Sequence, residues 1–425
     1  MNKQELKTYI CNAVDASAEK IIELAGSIRK EAEPGYEEYK TAAKVENIFR
    51  TLGLPVETKL ANTGIKAVFD SGKYGPNVAV LGELDALVMP NHPEANPETG
   101  AAHACGHEMQ IAALCGTAMA LCSDVVRENI SGRISFIAVP AEEGRSKEFD
   151  GITFMSGKAE LIRRGVFDDV DMAMMTHANS QYGIAESSNG FVIKKVTFHG
   201  KAAHAGRPWN GINALSAARN ALAAVDMQRD TFSDDEFIRI HGIISKGGEV
   251  VNIVPKEVEL EYQLRAKTAA GVKALSDMFD RCMHGAAIAF GVKVDIRTRA
   301  GYMSVNNDPD LTLIHKANLS AVCPGAEFVN MHHRPSSTDM GDLSSVMPAI
   351  HPYSGGWSGT AHGVDFHWDD EYEAFVAPAK VMAMNVIDLL YGDAEEAEKI
   401  AGHKPLFTKE EYLDYLNSME KALSY

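Results

Sequence analysis

No stretch of this 425-residue sequence is long and apolar enough to span a bilayer, and Lys and Arg nowhere gather into a stripe that could track phosphates. The formal charge of −17, from 41 Lys and Arg against 58 Asp and Glu, argues against nucleic acid and anionic membrane as partners. A small-molecule substrate suits such a chain better. Cysteine is scarce: Cys11, Cys105, Cys115, Cys122, Cys282 and Cys323 are scattered. The amino terminus, MNKQELKTYICNAVDASAEK, has charges and helical spacing where an export signal would have an apolar core. Reduced thiols in a cytoplasmic protein are therefore expected, not a disulfide framework. Internal repeats and low-complexity tracts are also missing.

What is present divides into two textures, and the length favours two domains. Apolar residues recur at helical spacing in Ile21, Ile22, Leu24 and Ile28, and again from Ala42 to Leu52, where Gly53 closes the helix. Short buried-strand patterns then alternate with helices: 65–69, 78–81, a helix over 111–126, then 134–139 and 172–175. That alternation predicts an α/β domain, a mixed and mostly parallel sheet with helices on both faces. From about Gly190 the pattern changes to period-two strands around long helices, FVIKKVTFHG through VKVDIRTRA, which predicts a smaller inserted α+β module. VAPAKVMAMNVIDLLYG reads as a late amphipathic helix, followed by a charged helical extension.

Chemistry-bearing residues fall just beyond the predicted strands: Glu83 and Asp85 after VAVLG, Glu142 and Glu143 after ISFIAVP, and His177 after DMAMMT. Ligand sites of open parallel sheets lie at those strand ends. His103-Ala-Cys105-Gly-His107 places a thiol and imidazoles on a loop entering a helix, and His362 follows late in GTAHGVDF. Alone, a cysteine is commonly a small buried hydrophobe, and an acidic pair is commonly solvated. Together, thiol, imidazole and carboxylate are the donors that hold zinc-like ions. An acidic pair after an apolar strand is costly unless coordinated or paired. A divalent cation lowers the pKa of its water from about 15.7 to about 7, so a metallohydrolase is expected. Of adjacent Glu142 and Glu143, one would serve as ligand and the other as general base, since neighbouring side chains on extended backbone diverge.

The ordered series GELDAL, HACGH, PAEEG, His177, HGKAAHAGRPWNGINAL, GGEVVNIVP, LEYQLRA, SSTDMGD and His362 resembles the dinuclear-metal aminoacylase and carboxypeptidase family, in its amidohydrolase branch, over roughly 20–390. The resemblance implies two divalent metal ions per subunit (Zn, Mn, Co or Ni) bridged by Cys105. Glu143 and His362 would complete one position, and His107 and His177 the other. Glu142 would be the general base and later the proton donor to the leaving amine. Asp85 would orient a metal-site histidine. The inserted module resembles a dimerisation lid, in which His204 reaches across a homodimer to the scissile carbonyl, while Asn252 and Arg265 grip the substrate. By residues alone, Arg265 would read as a strand arginine in a salt bridge. The domain expectation is thus 1–188 and 303–393 for the catalytic part, 189–302 for the lid and 394–425 for a helical C-terminal extension.

Two departures stand out. Many relatives of that branch have Asp and His where this chain has Glu108 and Gln110, which turns the likeness toward dipeptidase-like enzymes that cleave β-alanyl and related amides. The segment 91–102 is longer than usual for this connection, and its prolines predict a rim loop. His351 and His367 are second-choice metal or pocket residues, and His332 and His333 are assigned to a loop. The expected activity is cleavage of a dipeptide or N-acyl or aryl amino acid by metal-hydroxide attack. Deamination of an amino-substituted aromatic acid and a non-enzymatic metal-binding or scaffold role are the alternatives.

Overall fold

Strands Asn77–Glu83 and Arg133–Val139 consist almost wholly of buried residues because helices cover both faces of the sheet they occupy. The computed structural model describes residues 1–144 and 148–425; Arg145 and Ser146 of the PAEEGRS stretch lie outside them. The chain divides into two units. The first comprises Met1–Glu186, Asn306–His333 and Asp342–Thr408, and the second Ser187–Val305, Arg334–Gly341 and Lys409–Tyr425.

The sheet of the first unit has the order Val56–Leu60, Gly64–Asp70, Arg133–Val139, Asn77–Glu83, Met172–Met174, Ala349–Ile350. The last three pairings are parallel and the first two antiparallel, giving the mixed, mostly parallel sheet expected. A second sheet is built from Phe328–Met331, Tyr182–Ala185, Tyr353–Ser354 and His177–Ala178. Parallel strands at the centre bring the loops after Glu83, Val139 and Met174 to one edge, where the candidate site forms.

Helix His107–Leu121 packs against strand Asn77–Glu83 and against helices Ala18–Lys30 and Ala377–Leu390. Gly116 makes that approach possible: a Cβ there would lie 2.6 Å from Ile21 Cδ1 and 2.9 Å from Ala379 Cβ. The helix expected over 111–126 is in fact two. The first ends at Leu121, and Asp124–Asn129 begins afresh with Ser123 Oγ accepting from Val126 N, a cap that stops the first helix from continuing. The late helix also differs from expectation. Ala377–Leu390 is buried on nearly every side, not along one stripe, because helices Lys3–Ala16, His107–Leu121, Pro309–Val322 and Glu395–Ala401 surround it.

The second unit is a five-stranded antiparallel sheet ordered Arg239–Lys246, Glu257–Ala266, Gly190–His199, Lys293–Ala300, Lys421–Ser424. Helices Ala214–Met227 and Ala269–Phe290 pack on each other and on the sheet. The helical extension expected over 394–425 needs correction. Helix Glu395–Ala401 packs on Ala377–Leu390 in the first unit, whereas Lys409–Met419 buries Tyr412, Leu416 and Met419 in the second and Lys421–Ser424 becomes its edge strand. Pairing with Lys293–Ala300 satisfies backbone groups that an exposed tail would leave to water.

Candidate metal centre

The loop 103–106 leads into helix His107–Leu121 through Gly106 at φ 90°. A left-handed residue is needed for this turn, and a Cβ on it would lie 2.5 Å from Ala178 Cβ. Cys105 and His107 therefore sit on opposite sides of a glycine that lets the loop press against the strand carrying His177. Cys105 Sγ is 3.4 Å from His177 Nε2. The turn after strand Arg133–Val139 carries the acidic pair. Ala141 has φ 51°, and its N–H donates to the buried carboxylate of Glu38 at 2.8 Å, which burial foremost and then Asp85 push up to about 8.

Asp85 ties these pieces together. Its Oδ2 accepts from Glu143 N at 2.8 Å, its Oδ1 lies 3.3 Å from His107 Nδ1, and its carbonyl accepts from the same ring nitrogen at 2.9 Å. A carbonyl only accepts, so His107 carries its proton on Nδ1 and turns Nε2 into the pocket. His177 is fixed the same way, by Nδ1–H to the Ala178 carbonyl at 2.9 Å.

Two donor groups share Cys105: with His107 and His177, and with Glu143 and His362. Within each, the ligand atoms lie within 4.8 Å of one another. A third group, Glu83, His107 and Glu142, adjoins them. Glu143 Oε1 is 3.7 Å from His362 Nε2, and Glu142 Oε2 is 3.8 Å from His107 Nε2. His362 stands at φ 66° on an exposed turn, with its N–H donating to Ala104 O at 2.8 Å.

The electrostatics fit a cation. Glu143 Oε1 is buried without a hydrogen bond, which costs free energy unless something positive is placed beside it. Burial first, then the neighbouring acids, push the Cys105 thiol well up, and burial pushes Glu143 up to about 7. On His107 burial opposes charge, yet Glu83, Cys105 and Asp85 outweigh it and hold its pKa well above the ordinary value. The same excess of negative groups would attract a divalent ion. His103, buried beside Glu108, belongs to none of the three groups, and burial keeps it neutral.

One other expected residue adjoins the donor groups and the rest lie away from them. His351 is buried edge-on to His177, with ring centroids 5.5 Å apart. His367 is exposed, and exposed His332 hydrogen-bonds Glu186 at 2.8 Å. His204, Asn252 and Arg265 all lie in the second unit. There the His204 and Asn252 segments are joined by Ala205 N to Asn252 O at 2.9 Å, and His204 Nδ1 accepts from Gly206 N at 2.9 Å, leaving Nε2 on the exposed side. Arg265 donates to Ser337 Oγ and Gln263 Oε1, and among the described residues no carboxylate pairs with it, contrary to a salt-bridged strand arginine.

Sequence reasoning placed Glu83 at a strand end without giving it a role. Its Oε2 comes within 3.1 Å of His107 Nε2, while Oε1 accepts from Lys158 Nζ at 2.5 Å and Gln110 brackets it by Nε2 to Oε2 (2.8 Å) and Oε1 from Glu83 N (3.1 Å). Gln110, one of the two residues in the first departure, is therefore the clasp of a buried ion pair. Burial opposes the charge on Glu83, but Lys158 and then His107 hold it down at about 2. Lys158→Met should destabilise the fold by about 3–5 kcal/mol, because it strands a buried carboxylate; the double change with Glu83→Gln should recover most of that in denaturant titrations. Additive losses would show that the pair is not coupled.

The chain is a metallo-amidohydrolase, a hydrolase acting on carbon–nitrogen bonds, as its family and relatives show. The family model for peptidase family M20/M25/M40 matches residues 79–388. The chain is 30% identical to the Xaa-Arg dipeptidase of Mus musculus over 369 residues, 82% of this chain and 79% of that one. It is 28% identical to one of the subunits of p-aminobenzoyl-glutamate hydrolase from Escherichia coli, over 69% and 60% respectively. Its fold is similar to that of a dinuclear metal binding peptidase of Bacillus subtilis, at TM-score 0.69 and 20% identity over 88% of this chain and 99% of that one. The chain belongs to peptidase family M20/M25/M40. Among the described residues no helix is long and apolar enough to cross a membrane.

Proposed function

We propose that the protein hydrolyses the amide bond of a dipeptide or an N-acyl or aryl amino acid. The observation that carries this reading is the pair of donor groups sharing Cys105, with Glu142 standing beside them. Cys105 would bridge two divalent cations, with Glu143 and His362 on one and His107 and His177 on the other. Bound cations supply Lewis acidity and make water a nucleophile near neutral pH. Mixed thiolate, imidazole and carboxylate donors suit Zn, Mn, Co or Ni.

Within that arrangement Glu142 takes the proton of the attacking water and passes it to the departing amine, a transfer that contributes typically 10²- to 10⁴-fold in rate. Asp85 holds His107 in the tautomer that offers Nε2. The second unit acts as a lid and dimerisation domain. From a second subunit, the exposed Nε2 of His204 hydrogen-bonds the carbonyl oxygen as charge builds on it, and Asn252 assists. Arg265, half-buried and without a carboxylate partner among the described residues, takes the substrate carboxylate with its planar fork of donors. The names of the similar dipeptidase and aminobenzoyl-glutamate hydrolase support an amino acid on the leaving side of the amide. The protein works as a cytoplasmic homodimer.

Purified enzyme loaded in turn with zinc, manganese or cobalt is to be assayed on N-acyl amino acids, β-alanyl dipeptides, Xaa-Arg dipeptides and aromatic amides. Ninhydrin should detect new amino groups, and a chelator should reduce turnover to background, with recovery on adding metal back. Full activity in chelated protein, or ammonia as the product, would overturn the reading.

A further inference from the structure

Glu108, which departs together with Gln110, leads away from the donor groups to a buried arginine. Arg29, in the last turn of helix Ala18–Lys30, is buried and uses its whole guanidinium. Nε and Nη2 donate to Glu94 Oε2 at 3.0 and 2.6 Å, and Nη1 donates to Glu108 Oε1 at 2.8 Å and to His103 O at 3.4 Å. Nη2 also donates to Phe366 O at 3.0 Å. The guanidinium carbon lies 4.8 Å from the centre of the Trp368 ring. One side chain thus joins the rim loop (Glu94), the loop before and into the metal helix (His103, Glu108), and the far side of the turn that carries His362 (Phe366, Trp368).

That last turn needs restraint. It is the tip of a two-stranded ribbon, Trp357–Ser358 against His367–Trp368. A backbone bond from His362 N to Ala104 O holds it to the Cys105 loop. His362 itself occupies the left-handed region at φ 66°, a conformation that persists only where the surroundings over-determine it. The chain anchors the two loops at paired points. His362 bonds Ala104, one residue before Cys105, and Arg29 bonds both His103 O and Phe366 O.

We infer that Arg29 is the positioning residue for the metal position formed by Cys105, Glu143 and His362, because it sets how far the His362 turn stands from the Cys105 loop. The Cys105–His107–His177 position is held by more than Arg29. His107 is oriented by Asp85 and His177 by its own strand. Only a planar fork can serve the Glu108 carboxylate, the Glu94 carboxylate and two carbonyls at once, so lysine is a poor substitute although it keeps the charge opposite buried Glu108. The inference rests on the proposed metal chemistry.

The test measures metal content and not turnover alone. Wild type, Arg29→Met and Arg29→Lys are loaded with zinc, dialysed against graded chelator, and assayed for zinc per folded chain by mass spectrometry, with thermal unfolding as the check on folding. Arg29→Lys is the variant that keeps the buried charge and with it the fold. The expected result is selective: one zinc stays at wild-type affinity, the other weakens by about 10- to 100-fold, and kcat falls while KM changes little. A cobalt-loaded variant should keep its thiolate-to-metal absorption, since Cys105 still holds the remaining ion. Two zincs retained at wild-type affinity, or both lost in parallel with thermal stability, would overturn the positioning role. No zinc on wild type would instead overturn the metal reading on which it rests.

Discussion

Glu142→Gln should lower kcat by about 10²- to 10⁴-fold, the ordinary range for losing a general base, with metal content and KM close to wild type. The amide fills the same volume but cannot accept a proton from water. Glu142 sits on a turn whose backbone is held from outside its side chain, by Glu38 through Ala141 N and by Asp85 through Glu143 N, so the local fold should persist. Its carboxylate lies 3.8 Å from His107 Nε2, beside the donor groups and outside the two that share Cys105. The acid limb of the kcat pH profile should disappear in the variant, since that limb would report protonation of the base. Activity within tenfold of wild type, or loss of bound metal in proportion to loss of rate, would sink the assignment.

Cys105→Ala should release both cations and take turnover to background, a larger defect in binding than loss of any single terminal ligand. Cys105 is the one residue common to the two donor groups. Its thiol is buried, and burial followed by the nearby Glu143 pushes its pKa well up. A bound cation beside it would favour the thiolate. Metal binding to the wild type should then release a proton that the variant cannot, a difference readable by calorimetry in buffers of different ionisation enthalpy. The other cysteines lie outside the donor groups, so the effect should be confined to this position. A Cys105→Ala protein that keeps two ions at wild-type affinity would remove the bridge from the proposal.

Much of the first unit was legible because its signals are local. Parallel strands buried on both faces must be apolar throughout, so VAVLG and ISFIAV were readable as strands, and the acids and His177 that follow them were readable as a strand-end site. The break at Ser123 was missed because the apolar pattern runs across a cap. Burial of Ala377–Leu390 on all sides was missed because periodicity cannot report how many neighbours a helix will have. The C-terminal strand was invisible for a stronger reason: Lys421–Ser424 is a strand through pairing with Lys293–Ala300, residues more than a hundred positions away.

The candidate site divides along the same line. Residue type and order alone singled out Cys105, His107, Glu142, Glu143, His177 and His362 as candidates, since donor chemistry is a property of side chains. Only the tertiary structure decided which nitrogen the His107 and His177 rings offer, that Asp85 grips both His107 and Glu143, and that Glu108 and Gln110, odd as sequence, answer Arg29 and the Glu83–Lys158 pair. Those facts depend on distances of about 3 Å between residues up to several hundred positions apart, as between Arg29 and Phe366. Hydrogen bonds and buried ion pairs act over such short ranges that chain order carries no trace of them until the core has closed.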